Sequence, residues 1–142
     1  MRYQRVCIEA LAYTLPDEVV TSRQIEEQLA PAYARLGLQM GRLEKIYGIK
    51  ERRFWKRGML PSEMSAMSVR KAISATSLPL NEFGMLVHAS VCRDSLEPAT
   101  ASIVHGKLNL PPTMILYDVS NACLGFVNGM IQAASMIELG HI

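Results

Sequence analysis

The 142-residue chain is 49% hydrophobic and 20% charged, with a formal net charge of +2, a balance that allows a sizeable core and excludes intrinsic disorder. So small a positive excess gives no electrostatic footprint for nucleic acid. The three cysteines, Cys7, Cys92 and Cys123, are too few and too scattered for a disulfide framework or a metal cluster, which points to a reducing cytoplasm and no bound metal.

The N-terminal stretch MRYQRVCIEALAYTLP has neither a continuous apolar core nor a small-residue cleavage site, so no signal peptide is expected. Arg2 to Ala12 reads as an opening strand. Thr21 and Gln24 stand at capping-box spacing, and Ile25 and Leu29 follow at helical intervals before Pro31, which predicts a helix from Thr21. A second short helical stretch runs through Gln39 to Tyr47, ends at Gly48 and leads into the charged segment IKERRFWKRG. Ser62 to Ser77 is the next helix, with Met64, Met67 or Ala66, Val69 and Ile73 on its inner face. The nine methionines read as adaptable core filling.

Met85 to Val91 is apolar and too short for an independent helix, so it reads as a buried strand. Pro98 suits the first position of a helix carrying Ala101, Ile103, Val104 and Leu108. Met114 to Val119 is a third strand, and Ala122 to Leu139 a long helix closed by Gly140. Asn128, Gln132 and Glu138 argue against a membrane span. The helix is nonetheless apolar on almost every face, which predicts burial all round, and Gly125, Gly129 and Ala133 form a smooth stripe for another helix to approach. Strands alternating with helices predict an α/β layered architecture with a largely parallel sheet.

Cys123 lies in the run DVSNACLGFVNG, Asp118 to Gly129, at the first turn of that last helix. Unsatisfied N–H groups and the positive end of the helix dipole favour a thiolate there, which makes Cys123 a candidate nucleophile; a buried, inert cysteine is the competing reading. Asn121 is placed to cap the same helix through its side chain, and Asp118 to end the strand and fix the turn. Glu97, just before Pro98, reads either as a helix N-terminal carboxylate or as a base. The run Lys50, Arg52, Arg53, Lys56 and Arg57, with Trp55 among it, reads as a phosphate-attracting patch with a stacking face, or as a solvated face or interface.

An opening ending in LP, the GIKERR segment, a strand, DVSNAC and an apolar helix together resemble the N-terminal half of thiolase-fold condensing enzymes of the β-ketoacyl-ACP synthase III family, from about Arg2 to the C-terminus. Within that family, VCRDSLEPATASIVHGKL and DVSNACLGFVNGM most resemble the branch that joins two acyl-CoA molecules head to head in long-chain olefin biosynthesis. The resemblance implies a layered αβαβα fold in which residues 1–142 are the N-terminal half, with about three of that half's five strands legible. It implies that Cys123 accepts an acyl group from a coenzyme A thioester, with no cofactor, and that a second acyl donor supplies a carbanion for carbon–carbon bond formation, yielding a β-keto acid. Glu97 is then the base that removes the α-proton, reaching the neighbouring subunit's site across a homodimer interface; a carboxylate kept out of water and away from cations is the better base. A decarboxylating synthase III using malonyl-ACP and a non-catalytic interaction subunit are the alternatives.

Synthase III proteins often place a tryptophan a few residues before the glycine matching Gly48, to stack on adenine; this chain has Arg42 and Leu43 there, and Arg52, Arg53 and Trp55 are its candidates for holding coenzyme A. The family completes its site with a histidine and an asparagine, or a second histidine, from the C-terminal half. His88, in a strand pattern, His105, on a helix, and His141 match none of these and read as structural or solvent-facing. The residues to Ile142 leave a sheet edge and an apolar helix uncovered, so the expectation is a C-terminal half or a second chain that covers them and supplies the missing groups.

Overall fold

The computed structural model describes residues 2–142, which group into two compact units, Leu15–Gly58 and the remaining residues. In the smaller unit, β1 (Glu18–Thr21) pairs antiparallel with β2 (Glu51–Phe54), from Glu18 opposite Phe54 to Thr21 opposite Glu51. The capping box forms as the sequence predicts: the Thr21 hydroxyl accepts from the Gln24 N–H at 3.1 Å and the Gln24 side chain accepts from the Thr21 N–H at 2.8 Å, opening α1 (Ser22–Gln28). Pro31 does not merely follow that helix. It sits in the first turn of α2 (Ala30–Leu36), where its missing N–H costs nothing. The Gln39 to Tyr47 stretch is helical only over α3 (Arg42–Tyr47), closed by Gly48 in the left-handed region at φ 68°.

The larger unit contains α4 (Pro61–Ser74), β3 (Met85–Ala89), α5 (Thr100–Leu108), β4 (Ile115–Val119) and α6 (Gly125–Glu138). β3 and β4 are parallel, with His88 opposite Asp118. The α-helix that joins them, α5, buries Ala101 and Val104 almost completely, and Leu110 and Met114 complete this core. On α4 the inner positions are Ser62 and Ala66, while Met67 is exposed, which decides between the two residues the pattern allowed.

Several expectations are corrected. Arg2 to Ala12 forms no strand, because no partner strand lies beside it; the N–H groups of Gln4 and Arg5 end instead on the Glu138 carboxylate of α6, at 3.0 and 2.9 Å. The described residues hold four short strands in two two-stranded sheets rather than three in one. The charged segment after Gly48 supplies one of them, β2. Helix α5 begins two residues after Pro98. The last helix begins at Gly125, after a separate 3-10 turn over Ala122–Leu124.

Within this chain α6 is covered on one face only. Gly125 and Gly129 are its buried residues, whereas Phe126 is 62% exposed and Val127 and Met130 are also open. Within this chain the small-residue stripe meets strand β3: a Cβ at position 129 would stand 3.3 Å from Val87 Cγ1 and 3.8 Å from Ala89 Cβ. Among the described residues no helix is long and apolar enough to cross a membrane.

Candidate active site

Parallel pairing puts the carboxyl ends of β3 and β4 at one edge, the position at which open α/β sheets hold their ligands. The ladder closes there with the Ser90 N–H donating to the Val119 carbonyl at 3.1 Å. From β3 the chain enters the loop 90–99, which carries Glu97; from β4 it passes through Ser120 and Asn121 to Cys123. Both candidate catalytic residues therefore leave the sheet at the same edge.

Cys123 occupies the middle of the 3-10 turn, with its side chain exposed, so the inert, buried reading does not hold within this chain. The turn is tight: the Leu124 N–H returns to the Asn121 carbonyl at 2.9 Å, and Ala122 is held in the left-handed region at φ 40°. Asn121 does not cap the helix through its side chain. Its Nδ2 donates instead to Asn128 Oδ1 on α6 at 2.7 Å, tying the turn to the helix that follows.

Asp118 does more than end a strand. Its carboxylate, in a side chain only 4% exposed, accepts the N–H groups of Thr100 and Ala101, each at 2.8 Å, and lies 3.9 Å from Arg93 Nε. The open N-terminus of α5 is thus filled by a charge from β4. This removes the reading of Glu97 as the N-terminal carboxylate of that helix. Glu97 is exposed, next to Leu96 at 85% exposure, and forms no hydrogen bond or ion pair among the described residues, including none with Cys123.

The histidines have structural partners or face solvent. His88 Nε2 meets the Cys92 carbonyl at 3.2 Å, and since a carbonyl can only accept, that nitrogen carries the proton; Nδ1 is left for the Ser65 hydroxyl at 3.3 Å. His105 Nε2 donates to the Pro111 carbonyl at 2.9 Å, and His141 is exposed. No group of three or more His, Cys, Asp or Glu side chains among the described residues could hold a metal ion.

Arg52, Arg53 and Trp55 belong to the Leu15–Gly58 unit. Arg52 Nη1 donates to Ser22 Oγ at 2.8 Å, and Arg53 Nη1 reaches the Pro16 carbonyl at 3.5 Å; Arg53 is exposed and Trp55 half-buried. In the same unit the buried Glu26 carboxylate accepts from the N–H groups of Gly41 and Leu43 and from the Tyr33 hydroxyl. The Leu43 N–H is the foremost cause of a carboxyl pKa below the ordinary value, against the opposing effect of burial; Tyr33 is pushed up by burial and by the Glu26 charge. This pair fastens α3 in place.

The roles of Asp118, of Asp94, whose Oδ1 accepts the Ser62 N–H of α4 at 2.8 Å, and of Glu26 were missed from sequence. The backbone N–H groups they hold stand 15 to 32 positions away, so no local spacing signals those contacts.

No family model matches the chain. Over all 142 residues it is 42% identical to the acyl-CoA:acyl-CoA alkyltransferase of Shewanella oneidensis and 41% identical to that of Xanthomonas campestris pv. campestris. A β-ketoacyl-[acyl-carrier-protein] synthase III of Deinococcus radiodurans is 31% identical over 130 residues, 92% of this chain and 36% of that protein. Among solved structures, a 3-oxoacyl-(acyl carrier protein) synthase III from Xanthomonas oryzae pv. oryzae superimposes with a TM-score of 0.92 at 41% identity, covering all of this chain and 42% of the other. The chain matches, over its whole length, the N-terminal part of thiolase-fold condensing enzymes of the β-ketoacyl-ACP synthase III type. An OleA variant from Xanthomonas campestris matches similarly, with a TM-score of 0.91 at 40% identity over all of this chain and 44% of that one. The chain spans 41 to 42% of the length of the two alkyltransferases. Its fold is the thiolase-like α/β architecture expected from the sequence, represented by the N-terminal part.

Proposed function

We propose that the full-length protein is an acyltransferase that condenses two fatty acyl-CoA molecules head to head without decarboxylation, and that Cys123 is its nucleophile. The observation that carries this reading is an exposed thiol on the turn between β4 and α6, in a chain 41 to 42% identical throughout to two acyl-CoA:acyl-CoA alkyltransferases. The Cys123 thiolate attacks the thioester carbonyl of one acyl-CoA and coenzyme A leaves as its thiol. Glu97 takes the α-proton of a second acyl-CoA, and the resulting carbanion attacks the acyl-enzyme carbonyl. The Cys123 sulfur departs, and hydrolysis of the remaining thioester gives the β-keto acid.

Two features support Glu97 in this role: its loop leaves the sheet at the same edge as Cys123, and the helix N-terminus it would otherwise serve is occupied by Asp118. In the homodimer we propose, Glu97 serves the neighbouring copy's Cys123. Portions of the protein beyond this chain supply the histidine and asparagine that polarise the thioester carbonyl, Arg52, Arg53 and Trp55 hold the phosphates and adenine of coenzyme A, and the protein works in the cytoplasm.

The test is product analysis with acyl-CoA as the sole substrate, together with mass spectrometry of the acylated protein. A β-keto product, and an acyl adduct lost in Cys123→Ser, are the expected results. Strict dependence on a malonyl donor would replace this reading with the decarboxylating one, and absence of any adduct would leave a non-catalytic subunit.

A further inference from the structure

Glu97 has no hydrogen-bond or ion-pair partner among the described residues, so within this chain its position is set by what holds the flanks of its loop. Those flanks are held at three places. At the start, the Cys92 N–H donates to Ser90 Oγ at 3.0 Å, and the Cys92 carbonyl accepts from His88 Nε2 at 3.2 Å. In the middle, Asp94 accepts the Ser62 N–H of α4 at 2.8 Å, while its own N–H reaches Thr100 Oγ1 at 3.4 Å. At the end, the Asp118 carboxylate takes the N–H groups of Thr100 and Ala101 and draws Arg93 to 3.9 Å.

His88 and Asp118 are opposite each other in the parallel ladder, one on each strand, and both side chains are buried. Alternation along β3 turns Val87 and Ala89 toward Gly129 of α6 and His88 toward Ser65 of α4, so the two polar side chains lie on the face away from the nucleophile helix. A histidine and a carboxylate in a strand pair are costly to bury unless their hydrogen bonds are satisfied. Here every one of those bonds except that to Ser65 ends on the loop or on the first residues of the helix that follows it.

We propose that His88 and Asp118 are positioning residues for carbon–carbon bond formation: they clamp the two ends of loop 90–99 to the sheet and so fix where Glu97 stands. The inference rests on the reading of Glu97 as the α-proton base. Neither residue touches substrate in this scheme. What they set is the placement of the carboxylate, and a displacement of about 1 Å is enough to cost on the order of 100-fold in a step that depends on alignment.

The experiment separates the two chemical steps in the full-length protein. Acylation is read as coenzyme A release and acyl-enzyme mass, condensation as β-keto product, for His88→Leu, His88→Gln, Asp118→Asn and Glu97→Gln. Expected for His88→Leu is acylation within about twofold of wild type and condensation slowed about 10- to 100-fold. His88→Gln, which keeps an N–H for the Cys92 carbonyl, recovers most of the loss, and Asp118→Asn repeats the split between steps. On the residual rate of Glu97→Gln, His88→Leu adds little further loss, because the group being positioned is already disabled. A purely structural role would instead lower acylation and condensation together, or multiply with Glu97→Gln, and either result overturns the inference. If His88→Leu fails to fold, the same comparison is made with His88→Gln and Asp118→Asn. Intact condensation in Glu97→Gln removes the base assignment and this inference with it; a Glu97→Gln defect beside unimpaired His88 and Asp118 variants removes the inference alone.

Discussion

Substitution of Ala122 tests whether a left-handed residue sets the turn that presents Cys123. At φ 40° the alanine Cβ crowds the adjoining backbone, at about 1–2 kcal/mol for an L residue. Ala122 is exposed within this chain, so replacing it by glycine removes little packing there. Glycine relieves the crowding but widens the unfolded ensemble by about 0.4–1 kcal/mol, so Ala122→Gly should lie between neutral and about 1 kcal/mol more stable. Ala122→Val places a β-branched side chain at the same backbone angle and should cost about 1–3 kcal/mol. Denaturant unfolding of the full-length protein measures the stability order Gly, Ala, Val, and acyl-enzyme formation by mass spectrometry follows the thiol. The glycine variant should acylate at close to the wild-type rate and the valine variant several-fold more slowly. Equal stability and equal acylation for Gly and Val at this position would refute the idea that the turn depends on the left-handed residue.

The close seat of Gly129 on β3 predicts that Gly129→Val destabilises by about 1–3 kcal/mol through overpacking, and that Val87→Ala, which removes the atom 3.3 Å from the new Cβ, recovers part of this in a double-mutant cycle. The Glu26 carboxyl has a folded pKa below its ordinary 4.5, so its contribution is fully present above pH 4.5 and is lost as the pH falls through the lower folded value. The protection of the Gly41 and Leu43 amides, measured relative to intrinsic exchange at each pH, should therefore fall on acidification below that value, and Glu26→Gln should flatten the dependence; an unchanged protection profile in the variant would exclude Glu26 as its source. Arg53→Ala should raise the KM for acyl-CoA several-fold with little change in kcat if the basic run holds coenzyme A, since such an interaction is made equally with substrate and transition state. An unchanged KM would return the run to the solvated surface.

Where structure is decided locally, the sequence was legible. The Thr21 to Gln24 box, the Gly48 stop and the apolar runs that became β3 and β4 each depend on residues within a few positions of one another. The failures share a different cause. A strand exists only through its partner: Arg2 to Ala12 has strand character without a ladder, whereas ERRF, with charge at three of four positions, became β2 because β1 lies beside it. The glycine stripe of α6 signalled close approach correctly, but a spacing of four says nothing about whether the approaching surface is a helix or a strand. At the candidate site the position of Cys123 at a strand-to-helix turn could be read, while the left-handed Ala122 beneath it could not, because alanine carries no preference for that region.

The same contrast bears on how the site is held. Helices α3, α4 and α5 each have backbone N–H groups in their first turn satisfied by a carboxylate from outside the helix, Glu26, Asp94 and Asp118 respectively. A local cap stabilises a helix wherever the helix lies, but a distant carboxylate does so only when two elements stand in one relative position, so each such contact converts capping energy into tertiary specificity. Asp118 carries the most consequence. It stands five positions before Cys123, on the strand whose end aims the thiol, and grips the helix whose start ends the Glu97 loop. A shift of β4 is passed through this carboxylate to the start of α5 and so to the end of the Glu97 loop, which in the proposed homodimer sets where Glu97 stands toward the neighbouring copy's Cys123. Loss of this carboxylate should therefore widen the distribution of Glu97 positions more than that of Cys123, and the expected result is a loss in the condensation step that acylation does not share.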